Sequence, residues 1–164
     1  MTSNKTKLPV PKSDRKAEEA FKALITKGIP LYFTYGLTQE HLDVLFETAY
    51  NLYYEKKYKE ALSVFARITI LNHFDKRGWI GSGVCWQILH RYNDAIDCYS
   101  RASLIDIKDP LPIFHAIECY IALKMNSDAN SALEVIKTLI KDNPKFVRFK
   151  NASAKIEQFL QKNK

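Results

Sequence analysis

A pattern that recurs after 34 residues constrains this chain more than any other feature. The run KYKEALSVFAR at residues 57–67 is followed by RYNDAIDCYSR at residues 91–101, with the same classes of residue at the same offsets. The matched pairs are Tyr58 and Tyr92, Ala61 and Ala95, Phe65 and Tyr99, and Arg67 and Arg101. A fixed interval of this length indicates a solenoid of repeated helix pairs, in which each unit buries its apolar face against the next.

The composition favours a helical domain. The chain has 164 residues, of which 46% are apolar, so it is long enough to form one domain with a substantial core. It contains only 5 glycines and 6 prolines, which suits helices better than turn-rich β structure. We therefore expect one ordered, all-α domain.

Three copies of a single repeat align at residues 42–75, 76–109 and 110–143. The second copy matches best, because Trp79 is its large opening residue and Gly83 is the small residue where two helices would cross. A period of 34 with two helices per unit is typical of the tetratricopeptide repeat. The sequence therefore predicts an all-α fold of three tetratricopeptide repeats that form a short helical solenoid, with an N-terminal helix and a C-terminal capping helix.

The repeats divide the chain into four parts. We expect a flexible basic tail at 1–13, an N-terminal helix with an apolar connector at 14–36, the three-repeat domain at 37–145, and a C-terminal capping helix and tail at 146–164. The connector GIPLYFTYG is so apolar that it must pack on its own solenoid or on a second subunit. The residues that we expect at a homodimer interface are Phe21, Leu24, Ile25, Ile29, Leu31, Tyr32 and Phe33.

The positive charge lies in the flanks of the chain. Residues 1–27 carry seven basic and three acidic side chains, residues 141–164 carry seven and two, and the remaining body carries eleven and thirteen. A nucleic-acid-binding protein would place a basic stripe on a folded face, interleaved with aromatic residues. Here the aromatic residues are in the body and the lysines are at the ends, so we expect no nucleic-acid partner.

Cysteine usage and hydropathy indicate a cytoplasmic setting without membrane insertion. The three cysteines form no CxxC pair, which argues against a disulfide framework and a zinc site. The lysine-containing N-terminus lacks the apolar region of a signal peptide. No apolar run approaches the length of about 18 residues that a membrane span needs.

Catalysis has little support in the sequence. The chain has no P-loop and no GxGxxG, GxSxG or HExxH motif. His115 and Cys119, four residues apart, are the most enzyme-like pair. However, Cys85 and Cys119 are 34 residues apart and occupy the same repeat position, which favours a packing role for both. We therefore expect no catalytic residue, no metal and no cofactor.

A groove is the stronger candidate for function. In a solenoid of helix pairs the first helices line the concave side, and we expect this lining to consist of Phe46, Tyr50, Tyr53, Ile80, Val84, Gln87, Phe114, Glu118 and Ile121. In the first repeat the packing face is already supplied by Leu45, Ala49 and Leu52, so the adjacent aromatic stripe is surplus to packing. This favours binding of an extended apolar peptide, although a purely structural role for the stripe remains open.

Three segments resemble a particular family. The runs NHFDKRGWIGSGVCWQ at 72–87, DIKDP at 106–110 and FHAIEC at 114–119 are similar to those of the class II chaperones of bacterial type III secretion, over roughly residues 15–145. The resemblance implies a cytoplasmic bacterial chaperone whose groove holds an extended segment of a hydrophobic secreted translocator, with aromatic residues of the first repeat forming pockets. It also implies a homodimer formed by the N-terminal region.

The resemblance and the groove together predict a chaperone that keeps secreted translocators soluble and competent for export. The alternative is a general tetratricopeptide scaffold for protein complexes. Repeat domains that clamp an acidic peptide tail use Lys and Asn where this chain has Phe46 and Tyr50. An anionic peptide tail is therefore a poor candidate for the ligand.

Overall fold

The computed structural model describes residues 26–141 and 144–162, together with Glu19 and Lys22. All regular secondary structure in these residues is helical, which confirms the predicted all-α class. The helices are α1 (Leu31–Thr34), α2 (Gln39–Tyr54), α3 (Tyr58–Leu71), α4 (Lys76–Ile88), α5 (Tyr92–Ile105), α6 (Pro110–Ala122), α7 (Asn126–Ile140) and α8 (Val147–Lys162), with a 3₁₀ turn at Pro144–Phe146 before α8. None of the described helices is long and apolar enough to span a membrane.

The 34-residue interval recurs in the positions of the helices. Helices α2/α3, α4/α5 and α6/α7 form three pairs, and the second helices of the pairs begin at Tyr58, Tyr92 and Asn126. A left-handed residue ends the turn inside each pair, and these residues are again 34 apart: Lys56, His90 and Lys124, with φ of 61°, 58° and 60°. A residue in the left-handed conformation commonly follows the end of a helix, and here the same backbone conformation is used in the turn of each of the three pairs.

The turns between repeats are capped by aspartates. The carboxylates of Asp75 and Asp109 accept hydrogen bonds from the backbone N–H groups of Arg77 and Leu111, two residues into the next helix. These bonds satisfy donors that have no partner within the helix, so they define where the first helices of repeats two and three begin.

Two glycines of α4 make room for aromatic rings from the neighbouring second helices. A Cβ atom built on Gly81 would lie 2.5 Å from the ring of Phe65 in α3, and one built on Gly83 would lie 2.5 Å from the ring of Tyr99 in α5. Phe65 is 2% exposed and Tyr99 is 0% exposed. Both rings therefore pack directly on the backbone of α4 and hold three helices together.

The C-terminal helix covers the open end of the third repeat. Helix α8 packs against α7, and Phe149 and Leu160 of α8 join Ile117, Leu133 and Ile136 in one buried cluster. This placement agrees with the predicted capping role, since the apolar face of the last repeat would otherwise lie open to water.

We expect Gly83→Ala to lower the free energy of unfolding by about 1–3 kcal/mol, because the new methyl group would displace the buried ring of Tyr99. Ser82→Ala is the matched control on the same helix. Its hydroxyl is buried and has no hydrogen-bond partner among the described residues, so its removal should leave stability unchanged or raise it. Urea denaturation would measure both; equal stability of Gly83→Ala and the wild type would contradict the packing role of Gly83.

Candidate functional site

The first helices of repeats one and two form the walls of an apolar cavity of about 290 Å³, here called the aromatic cavity. Helix α2 contributes one wall, α4 contributes the other, and the ring of Phe65 from α3 forms part of the base. The lining residues are Phe46, Tyr50, Tyr53, Phe65, Arg77, Ile80, Gly81 and Val84. Six of the eight lining residues are aromatic or aliphatic, which suits apolar side chains of a ligand.

The rings on α2 are held in one arrangement. Phe46 stacks on Tyr50 with ring centres 5.9 Å apart, and Tyr50 stacks on Tyr53 at 6.4 Å. The hydroxyl of Tyr54 donates a hydrogen bond of 2.9 Å to the hydroxyl of Tyr50 and adds an edge-on ring contact at 4.7 Å. Tyr50 is nevertheless 45% exposed, so this ordered stripe still presents apolar surface to solvent.

Arg77 closes one side of the aromatic cavity. Its guanidinium lies 5.0 Å from the ring centre of Phe46, a cation–π contact. Two carboxylates hold it there: Nη2 donates to Asp43 Oδ1 at 2.8 Å and to Asp75 Oδ2 at 2.7 Å. The hydrogen bond from Arg77 lowers the pKa of Asp43 below its ordinary value. The pair Asp43 and Arg77, 34 residues apart, therefore ties the first helices of two repeats together beside the cavity.

A second cavity of about 390 Å³, here called the polar cavity, adjoins the first and shares Tyr53 and Val84 with it. Its other lining residues are Gln87, Ile88, Tyr92, His115, Glu118 and Ala122, which come from α4, α5 and α6. The groove between the first helices thus has an aromatic half followed by a polar half.

A hydrogen-bonded chain runs from the core to the polar cavity. The buried hydroxyl of Tyr99 donates to Gln87 Oε1 at 2.7 Å, and Gln87 Nε2 donates to Glu118 Oε2 at 3.1 Å. His115 Nδ1 donates to the same oxygen at 3.0 Å, while its ring stacks on Tyr99 at 5.3 Å. The hydrogen bond from His115 lowers the pKa of Glu118, and the hydrogen bond from Gln87 has a smaller effect in the same direction. Burial acts in the opposite direction.

Seven of the nine residues predicted for the groove line one of these two cavities. The other two, Phe114 and Ile121, pack instead against the C-terminal core cluster, and Phe114 makes an edge-on contact with Phe149 at 5.6 Å. Sequence reasoning did not include Arg77, although helical spacing places this residue on the same face of α4 as Ile80 and Val84, which it did include. Phe65 was also missed, because its repeat position indicated packing alone.

The enzyme-like pair from the sequence is divided between two environments. His115 bonds to Glu118 at the groove surface, whereas Cys119 is 0% exposed in a buried cluster with Ala95 and Tyr99. Burial raises the pKa of the Cys119 thiol to about 12 and that of Cys85 to about 11. No group of three or more His, Cys, Asp or Glu side chains that could hold a metal occurs in the described part of the chain.

We expect the cysteine thiols of the native chain to react with Ellman's reagent at pH 7 at least about a hundredfold more slowly than in denaturant, since each pKa unit lowers the thiolate fraction about tenfold. The unfolded chain serves as the control for the same thiols. Rapid modification of one thiol in the folded protein would contradict their packing role and favour a reactive cysteine.

The apolar connector lies beside the first repeat. Helix α1 contacts α3, and Gly28, with φ of 63°, lies next to the ring of Phe74. Among the residues predicted for dimerisation, Ile29, Leu31 and Tyr32 are half-buried, while Phe33 is 68% exposed. The predicted interface residues Phe21, Leu24 and Ile25 lie outside the described residues.

Comparison with known proteins relates the chain to bacterial secretion chaperones. It is 32% identical over 142 residues to the low calcium response locus protein H of Yersinia pseudotuberculosis, which covers 87% of this chain and 83% of that protein. It is 22% identical over 130 residues to the chaperone protein SicA of Salmonella typhimurium, covering 79% of each chain. No protein-family model matches the chain.

Solved structures give the same relationship. The chain is similar to the type III secretion chaperone SycD of Yersinia enterocolitica, whose structure was solved in complex with a peptide of the translocator YopD. The TM-score is 0.73 and the identity is 31%, and the match covers 77% of this chain and 96% of that chain. It is also similar to PcrH of Pseudomonas aeruginosa in complex with the chaperone-binding region of PopB, with a TM-score of 0.70, 30% identity, and coverage of 74% and 98%. The chain therefore belongs to the tetratricopeptide-repeat translocator chaperones, the class II chaperones of bacterial type III secretion.

Proposed function

We propose that the chain is a cytoplasmic, non-catalytic chaperone that holds an extended apolar segment of a secreted translocator in the groove formed by the aromatic and polar cavities. The observation that carries the proposal is the aromatic cavity between α2 and α4, whose ordered rings remain open to solvent. The relatives SycD and PcrH, each about 30% identical to this chain, bind translocator peptides, which supports the proposal.

The energetics of such a groove suit a holding chaperone. A client that later inserts into a membrane exposes apolar surface that would otherwise aggregate. Burial of about 400 Å² of this surface contributes about 10 kcal/mol before the costs of ordering the peptide and losing its translational freedom. The stacked rings of Phe46, Tyr50 and Tyr53 are already in place, so little further ordering of the chaperone is needed.

We also propose that the chain forms a homodimer through the connector and the preceding segment. The exposed ring of Phe33 lies next to half-buried Leu31 and Tyr32, and together they present contiguous apolar surface that a second subunit would cover. The relative SycD has been solved as an alternative dimer.

We expect Tyr50→Ala to weaken binding of a labelled peptide carrying the chaperone-binding region of PopD by about tenfold or more, since a buried aromatic anchor contributes about 2 kcal/mol or more. Tyr50 is 45% exposed, so the variant should fold normally. Fluorescence anisotropy would measure the affinity, and thermal unfolding would check the fold.

Phe159→Ala is the matched control for this experiment. Phe159 lies on α8, is 49% exposed and lines neither cavity, so its replacement should leave peptide affinity unchanged. Unchanged affinity of folded Tyr50→Ala would contradict the groove assignment. A wild-type chain that binds none of the YopD, PopB and PopD peptides would contradict the proposed function itself.

We expect Phe33→Glu to convert the homodimer to a monomer, because a carboxylate buried in an apolar interface would lose its hydration without a partner. Size-exclusion chromatography with light scattering at micromolar concentration would measure the mass. Leu104→Glu, at a position on α5 that is 80% exposed, is the control and should remain dimeric. A monomeric wild type, or a dimeric Phe33→Glu variant, would contradict this interface.

A further inference from the structure

The polar cavity contains the carboxylate of Glu118, which is held in place through one of its two oxygens. Gln87 Nε2 and His115 Nδ1 both donate to Oε2 of Glu118. No described residue bonds to Oε1, and the Glu118 side chain is 41% exposed. Because the pKa of Glu118 is lowered by these donors, the group carries its negative charge at neutral pH.

The orientation of Glu118 is set from the core. Its partner Gln87 is positioned by the hydroxyl of Tyr99, and its partner His115 is positioned by stacking on the ring of the same tyrosine. Tyr99 is 0% exposed and packs on the backbone of Gly83. The carboxylate is therefore held by side chains that are anchored in the buried core, and its orientation costs little free energy when a ligand binds.

Nothing in the lining of the polar cavity neutralises this charge permanently. Glu118 is the only acidic residue in this lining, and no Lys or Arg is among the lining residues. The guanidinium of Arg77 belongs to the neighbouring cavity and is already paired with Asp43 and Asp75. A ligand that enters this half of the groove therefore meets an unbalanced negative charge.

The walls of the polar cavity also suit a long cationic side chain. Tyr53, Val84 and Ile88 provide apolar surface against which an aliphatic stem can pack. Tyr53 and Tyr92 also line the cavity, and aromatic rings attract cations. An anionic or purely aliphatic side chain would instead leave the Glu118 carboxylate desolvated without compensation.

We propose that the polar cavity is a specificity subsite for a Lys or Arg side chain of the client, which pairs with Glu118 while neighbouring apolar side chains fill the aromatic cavity. This inference rests on the proposed function of the groove. The two cavities share Tyr53 and Val84, so in an extended client the basic residue lies within a few residues of the apolar anchors. Client segments of this chaperone therefore combine apolar anchors with one nearby basic residue.

The test is an array of synthetic twelve-residue peptides in which the two central positions are either leucine or serine and all other positions are varied. We expect the wild-type chain to select peptides with Lys or Arg within four residues of the leucines. Glu118→Gln should retain selection of the leucines and lose selection of the basic residue. Glu134→Gln, which removes a carboxylate that is 72% exposed on α7 and lines neither cavity, is the control and should select as the wild type does.

Solution affinities then measure the size of the effect. For a selected peptide, replacing the basic residue with norleucine should weaken binding to the wild type about tenfold, as expected for a hydrogen bond to a charged group. The same replacement should change binding to Glu118→Gln less than about twofold. Added NaCl should weaken the interaction of the basic peptide more than that of the norleucine peptide.

The outcomes separate this inference from the proposed function. Selection of apolar anchors without a basic residue, or a basic preference that survives in folded Glu118→Gln, would overturn the subsite and leave the groove assignment standing. If the wild-type chain selects no apolar anchors, the proposed function fails, and the subsite fails with it.

Discussion

The contact between aromatic rings and glycine backbone in helix α4 sets how the first two repeats stack. Phe65 from α3 lies over Gly81 and Tyr99 from α5 lies over Gly83, at distances that leave no room for a β-carbon. These two contacts bring the second helices of successive repeats against the same first helix. The direction of stacking, and hence the positions of the groove walls, depends on them.

The same two rings also connect the core to the groove. Phe65 is at once a core residue and part of the base of the aromatic cavity, where it makes an edge-on contact with Phe46 at 5.9 Å. The hydroxyl of Tyr99 orients Gln87, which in turn bonds to Glu118. The same residues therefore contribute to both core packing and the shape of the groove, and a change at Gly83 is expected to disturb both.

Different parts of the groove were predictable to different degrees. Phe46, Tyr50 and Tyr53 could be identified because helical spacing places them beside a packing face that other residues already supply. Phe114 has an equivalent repeat position but contacts Phe149 of the C-terminal helix. The repeat pattern assigns the same environment to equivalent positions in every repeat. The last repeat, however, also packs against the C-terminal capping helix, so the position of Phe114 could not be predicted from its own repeat.

By itself the sequence determined the helical class, the 34-residue register and the aromatic stripe, because these depend on local spacing along single helices. Only the tertiary structure decided which polar groups meet. Arg77 pairs with Asp43, which lies 34 residues earlier, and Glu118 accepts a hydrogen bond from Gln87 of the previous repeat. Such pairs depend on the rotation and offset between neighbouring helices, which are set by how rings and glycines interlock in the core and not by the pattern of any one segment.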